Sequence, residues 1–320
     1  MPKILIDKNI PYLAHWIRED FDVASFVSKD LSFDQLTDTD ALIVRTLTSV
    51  NAQLLKNNPS LAFIASATSG VDHIDLPLLQ RHQIAFAHAP GCNAKAVCDY
   101  VMACFHTAGS PKKHGRIGII GCGHVGTRVA NAFSALGYDT LCYDPPKSGS
   151  DAAFMTASLD DLIDLDALCI HPNLTHDGPY PSKHLLDDTL LSQQDPGTLI
   201  INTSRGEVAN EQALLKHADK LRLCLDVWQN EPHINLDLMA KTLIATPHIA
   251  GYAMQAKWNA SKQVTTALYA HFGKIMPSIP APDLSTSHLL DISAIDQAWR
   301  LENDQMKAFK TIRQQQIKRL

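Results

Sequence analysis

Short apolar runs alternate with stretches of helical periodicity along most of the chain. Residues 3–7 (Lys-Ile-Leu-Ile-Asp), 41–46, 61–67 and 84–88 read as strands, and 10–19 reads as a helix. The runs show little alternation of apolar and polar positions, which is the mark of parallel strands covered on both faces. The first 90 residues therefore predict one α/β unit. Pro90-Gly91 breaks the chain, and Asn93 is placed to cap a helix running to about residue 107. Residues 109–115 are polar and glycine-punctuated, and read as a linker.

A second unit opens at Arg116. Residues 116–120, 139–143, 167–171, 198–202, 222–227 and 243–246 read as strands, with helices at 125–136 and 210–217. This is the repeating βα order of a doubly wound sheet. Residues 251–272 read as a helix returning to the first unit, and 277–282 as a rigid proline-rich linker. Beyond it, Trp299, Met306, Phe309, Ile312, Ile317 and Leu320 outline a loosely amphipathic helix.

Composition narrows the class. At roughly 100–200 residues per domain, 320 residues predict two domains. A net charge of −5 offers no basic footprint for nucleic acid. No apolar run reaches the ~18 residues of a membrane span. The first apolar stretch breaks at Asp7, too early for a signal peptide. Seven cysteines form no Cys-x-x-Cys pair, and most sit in apolar runs. Buried free thiols in a reducing cytoplasm are expected, and no metal site.

The chemistry begins at Gly121-Cys-Gly123-His-Val-Gly126, a Gly-x-Gly-x-x-Gly run that follows a strand and opens a helix. Gly121 permits the tight turn, Gly123 lets backbone approach a pyrophosphate, and Gly126 lets helix pack on strand. The helix N-terminus then presents N–H groups to the phosphates. Asp144 lies 18 residues past Gly126, at the end of the next strand. A carboxylate there accepts from ribose hydroxyls and repels a 2′-phosphate, so NAD is expected rather than NADP.

Three further polar residues follow successive strands: Arg205, Glu231 and His248. Removing hydride from a secondary alcohol requires removing its hydroxyl proton, and imidazole is the natural base near neutrality. A carboxylate on the far ring nitrogen fixes the tautomer, which suits Glu231. An arginine binds a substrate carboxylate in two parallel hydrogen bonds, which suits Arg205.

With these residues in place, the chain resembles the D-isomer-specific 2-hydroxyacid dehydrogenases. The likeness spans residues 3–282 and is most specific in Pro90-Gly-Cys-Asn-Ala94 and His248-Ile-Ala-Gly-Tyr252. It implies an α/β fold of two doubly wound, Rossmann-like or flavodoxin-like domains with an active-site cleft between them, plus a short C-terminal appendix. The expected division is 1–90 with 251–282 as substrate domain, 91–250 as NAD-binding domain, and 283–320 as appendix.

The resemblance also implies catalytic Arg205, Glu231 and His248, with His248 the proton donor in reduction. Cofactor contacts are implied at Gly121, Gly123, His124, Val125, Gly126, Asp144, Thr203, Ser204, Arg205, Asp226 and Gly251. Substrate contacts are implied at Thr46, Thr68 and Tyr252. The two threonines equally suit plain strand ends, and Tyr252 a packing aromatic. Pro172 stands where the family carries a threonine near the cofactor.

The leading expectation is NAD-dependent oxidation of a small phosphorylated D-2-hydroxy acid by a cytoplasmic homodimer. Another D-2-hydroxy acid as substrate, or a non-catalytic NADH-sensing binding protein, are the alternatives. The implied dimerisation region is shortened here. Residues 307–320 carry five basic residues and no acid, and read as a solvated helix, a partner-binding helix or a remnant of that region.

Overall fold

The computed structural model describes residues 1–28, 31, 33–56, 58, 60–109, 113, 115–282, 290–302 and 304–316. The chain divides into two compact units, Met1–Asn93 with Met254–Thr286, and Ala94–Ala253 with Ser287–Leu320.

The first unit opens with β1 (Lys3–Asp7), α1 (Leu13–Ile17), β2 (Asp22–Phe26), α2 (Phe33–Leu36) and β3 (Ala41–Val44). It continues with α3 (Ala52–Leu55), β4 (Phe63–Ser66), α4 (Leu76–Arg81) and β5 (Ala85–His88). The sheet is wholly parallel in the order β2-β1-β3-β4-β5, the flavodoxin-like winding. Strand β2 is one more than the pattern predicts. It sits at the sheet edge, starts on exposed Asp22 and buries only Phe26 fully, so it lacks the continuous apolar run. Helix α1 is shorter than expected because Pro11 and Tyr12, the latter at φ 67°, form a turn before it.

The second unit runs α5 (Ala94–Ala108), β6 (Arg116–Ile120), α6 (His124–Ala135), β7 (Asp139–Tyr143), α7 (Pro145–Ser150) and β8 (Ala167–Ile170). Then come α8 (Asp188–Ser192), β9 (Leu199–Asn202), α9 (Glu211–His217), β10 (Arg222–Leu225), α10 (Leu236–Lys241) and β11 (Ile244–Ala245). Its parallel sheet has the order β11-β10-β9-β8-β6-β7. The winding reverses between β6 and β8, and open α/β sheets bind ligands at such points. Asn93 does not cap α5: its Oδ1 is buried with no hydrogen-bond partner. Of the expected linker, residues 110–112 and 114 lie outside the described residues.

Helix α11 (Met254–His271) belongs to the first unit, where Val264, Leu268 and Tyr269 pack with Ile4, Ile6 and Phe63. The tail forms two helices, α12 (Ile292–Leu301) and α13 (Gln305–Gln315), capped by Asp291 and Asp304. The solvated-helix expectation for the tail is corrected here. Trp299, Phe309 and Ile312 are buried in the core of the second unit, so the apolar stripe has a partner. Ile317 and Leu320 lie outside the described residues. Among the described residues no helix is long and apolar enough to cross a membrane.

Candidate active site

The carboxyl ends of the second sheet carry the expected chemistry in spatial order. Strands β11, β10 and β9 are neighbours, and His248, Glu231 and Arg205 follow them in turn. Two strands further, β6 opens into the glycine loop, and the edge strand β7 ends at Asp144.

His248 and Glu231 meet directly, with Nδ1 2.8 Å from Oε2. The other carboxylate oxygen accepts from the Trp228 N–H at 3.0 Å. Burial on its own raises the Glu231 carboxyl, and the charge and hydrogen bond of the imidazole beside it work against this. With the Trp228 N–H and the more distant Arg313 charge added, the group sits below the ordinary carboxylate range. With Nδ1 engaged, Nε2 is the ring nitrogen left for a substrate. The His248 side chain keeps 33% of its surface exposed.

His248 adopts φ 55°, a left-handed conformation uncommon outside glycine. A buried network holds it there. Its N–H donates to the Asp226 carbonyl at 2.7 Å. The Asp226 carboxylate accepts from the Ile249 and Ala250 N–H groups and from the Thr246 hydroxyl, at 2.7, 2.8 and 2.7 Å. The Tyr100 hydroxyl lies 2.5 Å from that of Thr246, and the Trp228 indole donates to the Thr246 carbonyl. Asp226, implied as a cofactor contact, is 1% exposed, and burial raises its carboxyl. Its carboxylate braces the histidine turn. Tyr100, Thr246 and Trp228 carried no signal in the sequence, because each reads as an ordinary core residue.

Arg205 follows the β9 end in an extended conformation, with Nη1 donating to the Ser204 carbonyl. Ser204 is buried and bonds Asn202 through both N–H and hydroxyl. The Thr203 hydroxyl pairs with His171 Nδ1 at 2.9 Å. Burial pushes His171 down to about 3, so this imidazole is neutral, and its Nε2 is buried without a partner. Thr203 thus sets a hydroxyl against the end of β8, one residue before Pro172.

The glycine loop meets its expected demands. Gly121 has φ +83°, and a Cβ there would lie 2.5 Å from Pro172 N. A Cβ on Gly126 would collide with the Gly121 carbonyl. At Gly123 a Cβ would meet no protein atom, so the loop leaves open space there. Gly123 precedes α6 with no side-chain cap, and Gly123 and His124 are exposed while Val125 is half-buried. The first N–H groups of α6 are therefore available to an anion.

Asp144 accepts from Cys122 N and from Lys147 N, at 2.7 and 3.0 Å, which ties the loop to the β7 end. Lys147 carries no signal in the sequence pattern, yet its ammonium donates to the Cys122 carbonyl at 2.9 Å. These residues fit a dinucleotide: N–H groups for the pyrophosphate and an ordered carboxylate for ribose hydroxyls.

Gly251 and Tyr252 close the turn after His248, with Tyr252 N donating to the Ile249 carbonyl at 2.8 Å. The Tyr252 hydroxyl accepts from Arg313 of α13, a residue the sequence did not mark.

In the first unit, Thr46 is exposed in the turn after β3. Thr68 follows β4, its hydroxyl 2.6 Å from that of Ser66 and donating to the Gly70 carbonyl. Unforeseen was Asp7, fully buried at the end of β1, which accepts from Arg45 Nε at 3.1 Å and from the Ser28 hydroxyl. Burial raises its carboxyl, but the Ser28, Asn9 and Arg45 contacts together bring it below the usual range.

Comparison with known proteins agrees with this fold. Residues 103–250 match the family model of the D-isomer specific 2-hydroxyacid dehydrogenase NAD binding domain. Erythronate-4-phosphate dehydrogenase of Legionella pneumophila (strain Philadelphia 1) is 39% identical over 282 residues, covering 88% of this chain and 80% of that protein. The chain belongs to the erythronate-4-phosphate dehydrogenase family. The family member from Proteus mirabilis is 40% identical over 299 residues, covering 89% of this chain and 79% of its own. Among solved structures, D-lactate dehydrogenase from Aquifex aeolicus, complexed with NAD and lactic acid, superposes with a TM-score of 0.71. At 21% identity, over 85% of this chain and 95% of that one, it confirms the fold. The family is one of NAD-dependent dehydrogenases, so NAD is the cofactor.

Proposed function

We propose that the chain oxidises 4-phospho-D-erythronate at C2, giving (R)-3-hydroxy-2-oxo-4-phosphobutanoate, a step of pyridoxal 5′-phosphate biosynthesis. The observation that carries the reading is the His248–Glu231 pair at 2.8 Å, on strand ends adjacent to that of Arg205, in a chain 39% identical to a dehydrogenase of that name. NAD, when bound, takes the hydride from C2.

The protein's residues do the rest. His248 Nε2 removes the C2 hydroxyl proton, and Glu231 holds the ring and stabilises the imidazolium that forms. Arg205 binds the substrate carboxylate and polarises the C2 oxygen. Gly121 to Gly126 hold the pyrophosphate and Asp144 the ribose, with Thr203, Ser204 and Gly251 lining the cofactor. Thr46 and Thr68 belong to the first unit, the substrate domain of this reading. The second unit is the cofactor domain.

The family resemblance carries with it a homodimer and a cytoplasmic setting. Seven free cysteines suit a reducing compartment. The intact acid–base pair and the dehydrogenase relatives disfavour the NADH-sensing alternative.

Incubating the protein with NAD and 4-phospho-D-erythronate should produce NADH, against a panel of other D-2-hydroxy acids that react more slowly. Arg205→Ala and His248→Ala should each lower kcat/KM by roughly 10²–10⁴-fold. Full activity in both variants would sink the mechanism, and a clear preference for an unphosphorylated acid would sink the substrate.

A further inference from the structure

We propose that Thr68 recognises a substrate hydroxyl by accepting its hydrogen bond, and that His73 is the positioning residue that fixes this polarity through Ser66. The inference rests on the proposed substrate and deepens it, by naming the group of that acid which the first unit reads. His73, Ser66, Thr68 and Gly70 all belong to that unit.

Ser66 ends β4 and is fully buried. Its hydroxyl oxygen lies 2.9 Å from His73 Nε2 and 2.6 Å from the Thr68 hydroxyl. The Thr68 hydroxyl lies in turn 2.7 Å from the Gly70 carbonyl oxygen. Backbone bonds pin both ends of this relay. The Val50 N–H donates to the His73 carbonyl at 2.8 Å, and the Ala89 N–H to the Thr68 carbonyl at 3.0 Å.

Counting protons sets the direction of every bond. A carbonyl can only accept, so the single hydroxyl proton of Thr68 goes to Gly70. The bond between the two hydroxyls must then use the Ser66 proton. Ser66 has none left for His73, so the imidazole donates and its Nε2 carries a proton. A protonated ring donates from the same nitrogen, so the direction survives a change of charge. A neutral ring with its proton on Nδ1 alone would turn Ser66 toward the ring and Thr68 toward Ser66, and would cost Gly70 its donor. His73 therefore sets the polarity, and the aligned bonds strengthen one another.

The consequence falls on Thr68. Its proton is committed, and one lone pair takes the Ser66 proton, so a lone pair is what it has left to offer. The residue is half-buried and follows the carboxyl end of β4, the end at which open α/β sheets bind ligands. A group with lone pairs alone is repelled there, and a group with a proton is held. In 4-phospho-D-erythronate the carboxylate and the phosphate dianion have no proton to give. The C2 hydroxyl proton is the one that His248 removes. The C3 hydroxyl is the donor that remains, and the reaction leaves it unchanged. The relay thus selects a 2,3-dihydroxy acid over one with a methylene at C3.

The test compares kcat/KM for 4-phospho-D-erythronate and for (R)-2-hydroxy-4-phosphobutanoate, which lacks the C3 hydroxyl, using the full-length protein with NAD. The wild type should favour the dihydroxy acid. Thr68→Val should cut that ratio roughly 3- to 30-fold, the worth of one hydrogen bond to a half-buried acceptor. His73→Leu keeps Thr68 but lets the two hydroxyls share their protons in either direction, and should cut the ratio roughly 2- to 5-fold. His73→Gln, whose amide can donate to Ser66, should restore most of it. An unchanged ratio in Thr68→Val overturns the hydroxyl recognition, and an unchanged ratio in His73→Leu overturns the role of His73. Equal losses on both acids, as from a variant that only loosens the end of β4, overturn the proposal as well.

Nuclear magnetic resonance of the protein with 15N-labelled histidine reads the relay without any substrate. The His73 ring signals are those that vanish in His73→Gln. They should show a proton on Nε2, and a bare Nε2 overturns the relay. A wild-type protein inert toward 4-phospho-D-erythronate strikes the proposed function instead, because the ring signals do not depend on it.

Discussion

At the scale of single residues, the pairing of Glu231 with His248 ties the proposed chemistry to acid stability. Replacing Glu231 by Gln keeps the shape of the side chain and removes the charge that stabilises an imidazolium. We expect kcat to fall by roughly 10²–10⁴-fold, as for an orienting carboxylate elsewhere. Stability should follow pH with a defined sign. The folded Glu231 pKa lies below its ordinary value of 4.5, so its ionised form favours the folded state. That contribution is complete above 4.5 and is lost as pH falls through the lower, folded value. Urea midpoints of wild type and Glu231→Gln should therefore differ most near neutrality and converge in acid. A gap that widens as pH falls would contradict the assignment. The residues proposed for this chemistry were legible because each follows a strand end and has a titrating or charged side chain. The brace behind them was not. Tyr100 and Asp226 are 126 positions apart, and nothing in a linear pattern says that Thr246 joins them.

At the scale of elements, the decisive piece is α12, which closes the β11 edge of the second sheet. An edge strand leaves N–H groups unpaired. Here the Ala245 N–H donates to Asp296 at 2.7 Å, and Arg300 reaches the Met239 and Thr242 carbonyls at 2.8 and 2.6 Å. Trp299, fully buried, stacks edge-on against Trp228 at 5.6 Å, and the Trp228 N–H holds Glu231. Asp296→Ala should thus cost about 1–3 kcal/mol through the orphaned N–H and the released Arg300. The loss should appear as a lower urea midpoint at unchanged slope. An unchanged midpoint would mean that solvent satisfies Ala245 and that α12 is no clasp. The apolar stripe of the tail could be read from spacing, but its partner could not. Periodicity reports that a face is buried, and only the completed sheet edge says against what. The same limit hid β2, whose edge position needs few apolar residues.

At the scale of the whole molecule, chain order makes the two units unequal. The second unit's residues 94–253 are inserted between β5 and α11 of the first. Helix α11 packs on the first sheet, and Asn259 donates to the Cys92 carbonyl at 3.1 Å, so the two ends of the insert must meet for the first unit to be complete. A folded insert brings them together at no further entropy cost. An unfolded one must be closed as a loop of about 160 residues, at about 5 kcal/mol. That is comparable with the net stability of a domain. Residues 254–286 of the first unit in turn separate the second unit's tail from its body, but that loop is about 33 residues, closes at about 4 kcal/mol, and holds only the tail helices to a sheet already built from 94–253. Destabilisation should therefore travel mainly one way. Ile119→Ala, in the core of the second unit, should lower the hydrogen-exchange protection of both β6–β9 and α11. Ile43→Ala, in the core of the first, should lower protection in β1–β5 and α11, and leave β6–β9 and NAD binding intact. Each substitution should cost its own unit about 2–5 kcal/mol. If the Ile43→Ala variant lost protection in β6–β9 to the same degree, the chain would unfold as one cooperative body, and the insertion would carry no energetic direction.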